Sequence, residues 1–361
     1  MRILTRYLSA AFLSSYLICL FFFVGLFLVI DFFQRIDDYV EARRFVASQG
    51  IDLLPLVARY YVASVPIIFI QVAPFVTLMG AMFAVTRLSR SNELVPVVTS
   101  GVSLYRFLAP MFVYAGVAAI LMIVIQERIV PGIAWERKRI DRIVSGKHGQ
   151  FVEELPLLRD TGGNLVGFRR YDPSRKIGED VNVTRLGPPP STLTADRAIY
   201  RADGPRGDGW YLENGVEQSF DADGDPVQRP VEFAEGVDLL PFEVDLSAVD
   251  KATLSFGEIA FLFRRNPDSA KLRVLLHHRL TFPMSNLVLL LIGLPIVLNR
   301  NVRNLVVGVG LSALVCGAFF AADFITQDLG SRGAIHPVVA AWLPTIFFGS
   351  LGICLFDTIR T

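Results

Sequence analysis

Six long uncharged apolar stretches constrain the fold of this 361-residue chain more than any other feature of its sequence. An α-helix needs about 20 apolar residues to cross the hydrocarbon layer of a bilayer, and each stretch comes close to or exceeds that length. Lipid offers the backbone no hydrogen-bonding partner, so each stretch must form a helix whose amides are bonded internally. The sequence therefore predicts six membrane-spanning helices, at residues 8–30, 62–85, 107–125, 280–298, 305–322 and 338–356.

The composition agrees with a membrane protein and argues against one class of partner. Hydrophobic residues make up 52% of the chain and charged residues 19%, a balance that is typical of membrane proteins. The formal net charge of +1 leaves no excess of basic residues for a nucleic-acid-binding face. We therefore predict no nucleic-acid partner.

Charges in the short connections predict the orientation. On one side, arginines outnumber acids, and Glu93 is the acid of its loops; on the other side, acids outnumber arginines. Since cytoplasmic loops carry the excess of Lys and Arg, the first side should be cytoplasmic. We predict a multi-pass protein of the cell inner membrane with both termini in the cytoplasm. The arginines of that side are Arg2, Arg6, Arg87, Arg90, Arg106, Arg300, Arg303 and Arg360.

A polar segment, from about 135 to about 267, separates the third and fourth apolar stretches. It contains short β-favouring runs between Gly, Pro and Asp clusters, at 164–171, 181–185, 191–201, 209–214, 216–220 and 227–233. Short β-favouring runs at this spacing, separated by turn residues, are typical of a β-sandwich or jelly-roll. We predict helices 1–3 within residues 1–134, a periplasmic all-β domain at 135–267, and helices 4–6 within 268–361. Helical connectors at 255–264 and 268–278 should lead into the fourth span.

Neither of two candidate metal motifs has the required pattern. Asp221, Asp223 and Asp225 have the spacing of a calcium loop, but Pro226 replaces the required glycine and no glutamate closes the loop. The adjacent His277 and His278 would point about 100° apart on a helix and have no accompanying ligand set. We predict no metal site and no cofactor.

The chain also lacks the common catalytic motifs. It contains no G-x-x-x-x-G-K-[ST], G-x-S-x-G or H-E-x-x-H sequence, and its spans hold no carboxylate pair of the kind an aspartyl protease needs. We expect a non-catalytic subunit, so a partner must supply the energy for any work on a membrane substrate.

The loop after the second stretch is the most informative short segment. Asn92 can cap a short helix, Glu93 favours its positive end, and Gly101 can terminate it. Pro96 is tolerated only near the first turn. The predicted helix is mostly apolar, so it would occupy a protein groove with Glu93 facing a basic partner, or lie on the bilayer surface.

This loop, with NEL at 92–94 and TSG at 99–101, resembles the LptF/LptG family of lipopolysaccharide-export ABC transporter permeases. The resemblance covers essentially the whole chain, including the basic N-terminus, the 3+3 arrangement of spans and the insert. The segments AIHP at 334–337 and AWLP at 341–344 are more similar to the LptG branch than to LptF.

The resemblance implies a fold, a function and a set of partners. The fold is a six-helix membrane domain with an inserted periplasmic β-jelly-roll. The function is the extraction of lipopolysaccharide from the inner membrane and its transfer to a periplasmic bridge, driven by ATP hydrolysis in a partner subunit. The implied partners are a cytoplasmic ABC ATPase dimer, a second LptF/LptG-type permease chain, periplasmic bridge proteins and lipopolysaccharide.

The resemblance also implies roles for two groups of residues. The loop near 91–101 would be the coupling helix that docks into the ATPase dimer, although Pro96 departs from the family pattern. Basic residues of the first periplasmic loop would contact the substrate's phosphates, which guanidinium groups bind bidentately. Alternatively, these arginines are interfacial anchors paired with Asp37, Asp38 and Glu41. The docking surface would be Glu93, Leu94, Val95, Val97 and Val98, and the phosphate contacts Arg35, Arg43 and Arg44.

Two other classes of protein remain open from the residues alone. The first is a membrane-anchored periplasmic scaffold or sensor without transport activity, which would purify without a nucleotide-binding subunit. The second is a membrane-embedded enzyme, which the missing catalytic motifs disfavour.

Overall fold

All six apolar stretches are helices, each long and apolar enough to cross a membrane. The computed structural model describes residues 2–48, 52–91, 93, 103–144, 152–153, 155–187, 190–220, 225–248, 253–299 and 305–357. The spanning helices are α1 (Arg2–Gln34), α3 (Leu53–Arg90), α4 (Leu104–Val124), α8 (Ala270–Asn299), α9 (Leu305–Ser331) and α10 (Pro337–Asp357). The prediction of six spans is confirmed.

Two shorter helices border these spans. Helix α2 (Ile36–Ser48) follows α1 after a turn at Arg35. Beyond α4, a π-helical turn (Ile125–Ile129) leads directly into α5 (Val130–Val144). Pro131 lacks the N–H that would bond to the preceding turn, and a wider turn of this kind relieves the clash of its ring. The third span therefore continues well beyond its apolar stretch.

The chain divides into a helical unit, Met1–Asp141 with Ala270–Thr361, and a second unit, Arg142–Ser269. In the helical unit, α3 and α8 are the most buried of the six spans. The buried Thr77 hydroxyl donates to Asn286 Oδ1 at 2.8 Å, and Gly293 lies against Leu78 and Met82. Small and polar residues allow membrane helices to approach closely, because no hydrophobic force drives them together.

Contacts between helix ends define the two ends of this bundle. Tyr105 at the start of α4 donates to the carbonyl of Phe356 near the end of α10, and Tyr7 at the start of α1 contacts Glu93. The described termini and the flanks of the 94–102 loop thus share one end. At the other end, Arg35 pairs with Asp141.

The second unit contains a β-sheet. Its described strands are β1 (Val152–Glu153), β2 (Leu158–Arg159), β3 (Leu165–Asp172), β4 (Ile177–Arg185), β5 (Ser191–Arg201), β6 (Gly209–Glu213), β7 (Val216–Phe220) and β8 (Pro226–Pro230). They form one antiparallel sheet in the order β1-β3-β4-β5-β7-β8, with β2 on β3 and β6 on β5. The prediction of an inserted β domain is confirmed.

The pairing with β5 is interrupted between β6 and β7. Both strands pair with β5, one after the other, and Asn214 between them has a φ of +54°. Asparagine tolerates this left-handed conformation better than most residues. The chain therefore pairs with β5 on both sides of this left-handed residue.

One face of the sheet carries a buried apolar cluster. Alternate residues such as Val166, Phe168 and Leu193 are buried there, which is the period-two pattern of a strand with one covered face. Trp210 packs into the same cluster and donates its indole N–H to the carbonyl of Leu239 at 2.8 Å. Helix α6 (Pro241–Ala248) adds Val244 to this core, and α7 (Phe256–Arg265) follows it in the chain.

Asp245 on α6 makes the stability of this unit depend on pH. Burial raises its pKa to about 6, against smaller effects of Tyr171 and Lys176 that lower it. The folded state therefore holds the proton more tightly than the unfolded chain, and stability falls as pH rises from about 4 to about 6. We expect Asp245→Asn to stabilise the unit at pH 7 by about 2 kcal/mol.

Urea unfolding, followed by Trp210 fluorescence in a background with Trp135 and Trp342 replaced by Phe, measures this effect. Glu232→Gln, which changes an exposed carboxylate, is the matched control and should leave the midpoint unchanged. A stability of the Asp245→Asn protein that still declined from pH 4 to pH 6 would contradict the assignment.

Candidate functional site

Glu93 lies just beyond the end of α3. Its backbone N–H donates to the carbonyl of Leu88 at 3.0 Å, and the Ser91 hydroxyl bonds to the carbonyls of Arg87 and Leu88. These bonds satisfy carbonyls that the end of a helix leaves without partners. They hold Glu93 close to the basic last turn of α3.

The carboxylate of Glu93 also contacts the first helix. The Tyr7 hydroxyl donates to Glu93 Oε1 at 3.3 Å. The remaining acceptor capacity of the carboxylate can serve a basic group from outside, since an ionised carboxylate has about four lone-pair sites. Of the predicted docking surface, Leu94, Val95, Val97 and Val98 lie outside the described residues.

A second cluster surrounds Arg35 in the turn between α1 and α2. The guanidinium donates from Nε to Asp31 Oδ1 at 3.2 Å and from Nη1 to Asp141 on α5. Its Cζ atom lies 5.2 Å from the centre of the Tyr60 ring. Burial alone lowers the pKa of Arg35, but Tyr60, Asp141 and Asp31 together raise it above its ordinary value. Arg35 therefore stays charged and joins three helices.

Aromatic rings and a second arginine complete this cluster. The Cζ atom of Arg137 lies 5.5 Å from the centre of the Tyr60 ring. The Tyr39 hydroxyl donates to that of Tyr61 at 3.1 Å. Tyrosine is enriched where a membrane meets water, because its ring is apolar and its hydroxyl is polar. The cluster has the composition of a membrane boundary.

The three predicted phosphate contacts therefore differ in their surroundings. Arg35 is engaged within the chain. Arg43 is exposed on α2 and forms no ion pair with the part of the chain that the structure describes. The side chain of Arg44 lies outside the described residues. Arg43 is thus the described member of the three that is available to an external phosphate.

The alternative of interfacial anchors assigned different partners to these arginines. Asp37, Asp38 and Glu41 make no ion pair among the described residues, whereas Asp31 and Asp141 pair with Arg35. The Asp31–Arg35 spacing of four residues is a helix-surface pair that the sequence contains. Asp141 is 106 positions away from Arg35, so local spacing does not reveal that contact.

The two adjacent histidines have different partners. Trp342 on α10 donates to His277 Nδ1 at 3.4 Å, and His278 Nε2 lies 3.1 Å from Asp323 Oδ2 on α9. Asp323 also accepts a hydrogen bond from Gln327 at 2.7 Å. Within the described ranges, no group of three His, Cys, Asp or Glu residues could hold a metal ion.

The chain has six spans and a β insert between the third and the fourth. Glu93 lies at the end of the helical bundle where the start of α1 and the end of α10 also lie. No match was found among curated proteins. The family model of the lipopolysaccharide export system permease LptF/LptG matches residues 6–358, a range that includes the insert and nearly all of the six spans. Because that match extends over almost the entire chain, this protein belongs to the LptF/LptG family of lipopolysaccharide export permeases.

Proposed function

We propose that this chain is one permease half of an ABC exporter that extracts lipopolysaccharide from the outer leaflet of the inner membrane. The observation that carries the proposal is the family match over residues 6–358. The helical unit is the part that holds the lipid, and the chemical energy comes from ATP hydrolysis in a cytoplasmic partner dimer.

Lipid extraction requires such an energy source. Each methylene group moved from hydrocarbon into water costs about 0.8 kcal/mol. A lipid with several acyl chains therefore does not leave the bilayer at a useful rate by itself. Binding of ATP by the partner moves the segment around Glu93, narrows the lipid cavity and expels the acyl chains.

The bundle end with Glu93 faces the cytoplasm in this proposal, and the β-rich unit is periplasmic. The basic residues Arg87 and Arg90 in the last turn of α3 support this orientation, because cytoplasmic segments carry the excess of positive charge. The β-rich unit passes the lipid to periplasmic bridge proteins. A second permease chain completes the cavity. We further propose that this chain has the role of the LptG branch, which the segments at 334–337 and 341–344 resemble more than they resemble LptF.

Arg43 and Arg35 should respond differently to loss of charge. We expect Arg43→Gln to weaken lipopolysaccharide binding about tenfold, because it removes one charge-assisted contact with a phosphate. Arg35→Gln should instead lower the thermal stability of the helical unit, since it leaves Asp31 and Asp141 without their cation. Competition binding with labelled lipopolysaccharide and thermal unfolding in detergent measure the two effects. Loss of binding in Arg35→Gln at unchanged stability would reverse the assignment.

Purification and reconstitution test the proposed function as a whole. The chain, purified in mild detergent from its own membranes, should bring a nucleotide-binding subunit and a second permease chain. In lipid vesicles, the assembly should release lipopolysaccharide to a soluble acceptor only when ATP is hydrolysed. Purification without a nucleotide-binding subunit would favour a scaffold, and an assembled complex without ATP-dependent release would refute the transport role.

A further inference from the structure

One row of residues crosses the middle of the β-sheet and interrupts its pairing. The row consists of Arg169 on β3, Asp180 on β4, Asp196 on β5 and Asn214 between β6 and β7. The registers place these residues opposite one another, because the pairs on both sides of the row keep the same alignment. At the row itself, each of the three ladders is interrupted. The backbone pairing of these strands therefore holds two parts of the sheet together, one on each side of the row.

The buried residues of the strands change their phase at the same row. Phe168 and Tyr171 on β3 belong to one buried cluster, although residues three apart on a regular strand point to opposite faces. Ala195 and Ala198 on β5 belong to that cluster in the same way. Between the buried positions, β3, β4 and β5 each have two consecutive residues that are not buried. Each of these strands therefore turns about its own axis where it crosses the row.

The row has a backbone conformation that differs from the rest of the strands. The φ angle is +53° at Asp180 and +54° at Asn214, in the left-handed region that Asp and Asn tolerate better than most residues. Side chains join the strands here instead. Arg169 Nη1 donates to Asp180 Oδ2 at 3.2 Å, and Asn214 Nδ2 donates to Asp196 Oδ2 at 2.9 Å.

A second line of charged side chains runs beside the row on its outer side. Glu179 on β4 pairs with Arg170 at 3.2 Å and with Arg197 at 3.4 Å. Arg197 also lies 3.9 Å from Glu213. Ion pairs between exposed side chains add little to stability, because water screens them. The contacts outside the row therefore rearrange at little cost, unlike the backbone ladders on both sides of it.

Aromatic rings and a cavity lie on the inner side. The centre of the Phe168 ring is 5.9 Å from that of Tyr171 and 5.1 Å from that of Trp210. Phe168 precedes the row, whereas the registers place Tyr171 and Trp210 beyond it. A packed interior has few voids and resists deformation, but Phe168 has free space beside it. That space is a cavity of about 570 Å³ lined by Glu153, Leu155, Phe168, Arg169 and Arg170.

From the interrupted pairing, the change of phase and the adjacent cavity, we infer that this row is a hinge line, at which the two parts of the sheet change their angle and open the apolar cluster to an alkyl chain. Opening separates the Phe168 ring from those of Tyr171 and Trp210, and the chain enters between them. The choice of an alkyl chain as ligand rests on the proposed function. The hinge line itself depends only on the contacts within the β-rich unit.

Distances between pairs of spin labels test the hinge line. The protein is the full chain in lipid nanodiscs, with its three cysteines replaced by alanine. Labels at Thr194 and Arg201 stand on the same strand, on opposite sides of the row. Labels at Arg159 and Gln228 are the control, because the registers place both on one side of it. We expect the first distance distribution to be at least about twice as broad as the second, since only the first crosses the hinge line.

A glycine substitution in the row should widen the motion. Asp180→Gly keeps the left-handed conformation without strain and admits others, because glycine lacks a Cβ atom. We expect it to broaden the distribution between positions 194 and 201 by about twofold. Lys176→Gly is the matched control, since Lys176 also has a positive φ, of +56°, but lies in the turn before β4. It should leave the distribution unchanged.

Quenching of Trp210 tests the ligand. The probe is palmitic acid with bromine on its alkyl chain, because bromine quenches tryptophan fluorescence on contact, and Trp135 and Trp342 are replaced by Phe. We expect saturable quenching that reaches its midpoint at a concentration about threefold lower in Asp180→Gly, since opening then costs less. Lys176→Gly should bind the probe like the wild type.

Two results would overturn the inference. One is a distribution between positions 194 and 201 that is no broader than the control, and the other is the absence of saturable quenching of Trp210. Neither measurement uses ATP or a partner, so both results leave the transport role standing. A complete assembly that hydrolyses ATP without releasing lipopolysaccharide would refute that role without changing the measured distances.

Discussion

Reversal of the charge at Glu93, by Glu93→Lys, is expected to lower ATP-dependent release of lipopolysaccharide by at least about tenfold. The substitution replaces an attractive contact with a basic partner by a repulsive one, and like charges at an interface cost several kcal/mol. It also places a cation close to Arg87 and Arg90 at the end of α3. The measurement is release from vesicles at saturating ATP, together with the amount of ATPase that purifies with the chain.

Two further variants separate docking from effects within the chain. Tyr7→Phe removes the hydroxyl that contacts Glu93 and leaves the carboxylate charged, so it should retain release. Glu93→Gln removes the charge and keeps the shape, so its effect should be intermediate. Undiminished release in Glu93→Lys would show that Glu93 has no part in coupling. A loss in Tyr7→Phe equal to that in Glu93→Lys would show that the contact within the chain is what matters.

Gly330→Val is expected to lower the free energy of unfolding of the helical unit by about 1–3 kcal/mol or more. Gly330 lies near the end of α9, where α10 turns back. A Cβ atom at this position would overlap the Cβ of Ala340 and come within 3.0 Å of Val274 Cγ2 on α8. Because the Cβ of Ala340 moves only with its backbone, α9 and α10 must separate to make room.

Gly317 provides a control within the same helix. It is exposed, and a Cβ added there would meet nothing within 4 Å. Gly317→Ala should therefore be neutral or stabilise the helix by about 0.5–1 kcal/mol, since glycine is the more flexible residue in the unfolded chain. Thermal unfolding in detergent, followed by retention of the monodisperse peak, compares the two. A Gly330→Val protein as stable as Gly317→Ala would contradict the close packing of these helices.

The sequence predicted the elements of this fold well because their signals are local. The length of an uncharged stretch identifies a span without knowledge of its neighbours. Short β-favouring runs between turn residues identified strands, and the runs predicted at 191–201 and 216–220 coincide with β5 and β7. The connector predicted at 255–264 is α7, shifted by one residue. The spacing of Ser255 and Glu258 is that of a capping box, and this pattern alone predicts where the helix begins.

The partners of the charged residues were not predictable in this way. Arg35 was predicted as a substrate contact, and its bond to Asp141 depends on the packing of α1 against the extended third span. Arg265 is the last residue of the connector α7, and its bonds to Glu243 and Asp238 join residues 22 and 27 positions apart in the sequence. Sequence spacing reveals pairs that lie three or four residues apart on one helix. The pairs of Arg35 with Asp141 and of Arg265 with its two acids are much further apart in the sequence, so spacing does not reveal them.

Six membrane spans, a β-rich insert and an acidic loop residue after the second span can all be predicted from the sequence of this chain. The length of the apolar stretches and the turn residues between short β-favouring runs are local features of the chain, so they can be recognised without knowledge of the tertiary contacts. Helix packing decides that Arg35 pairs with Asp141, whereas Arg43 forms no ion pair among the described residues. It also places Gly293 and Gly330 where an added Cβ atom would meet a neighbouring helix. Those outcomes depend on distances between residues far apart in sequence, which packing alone sets.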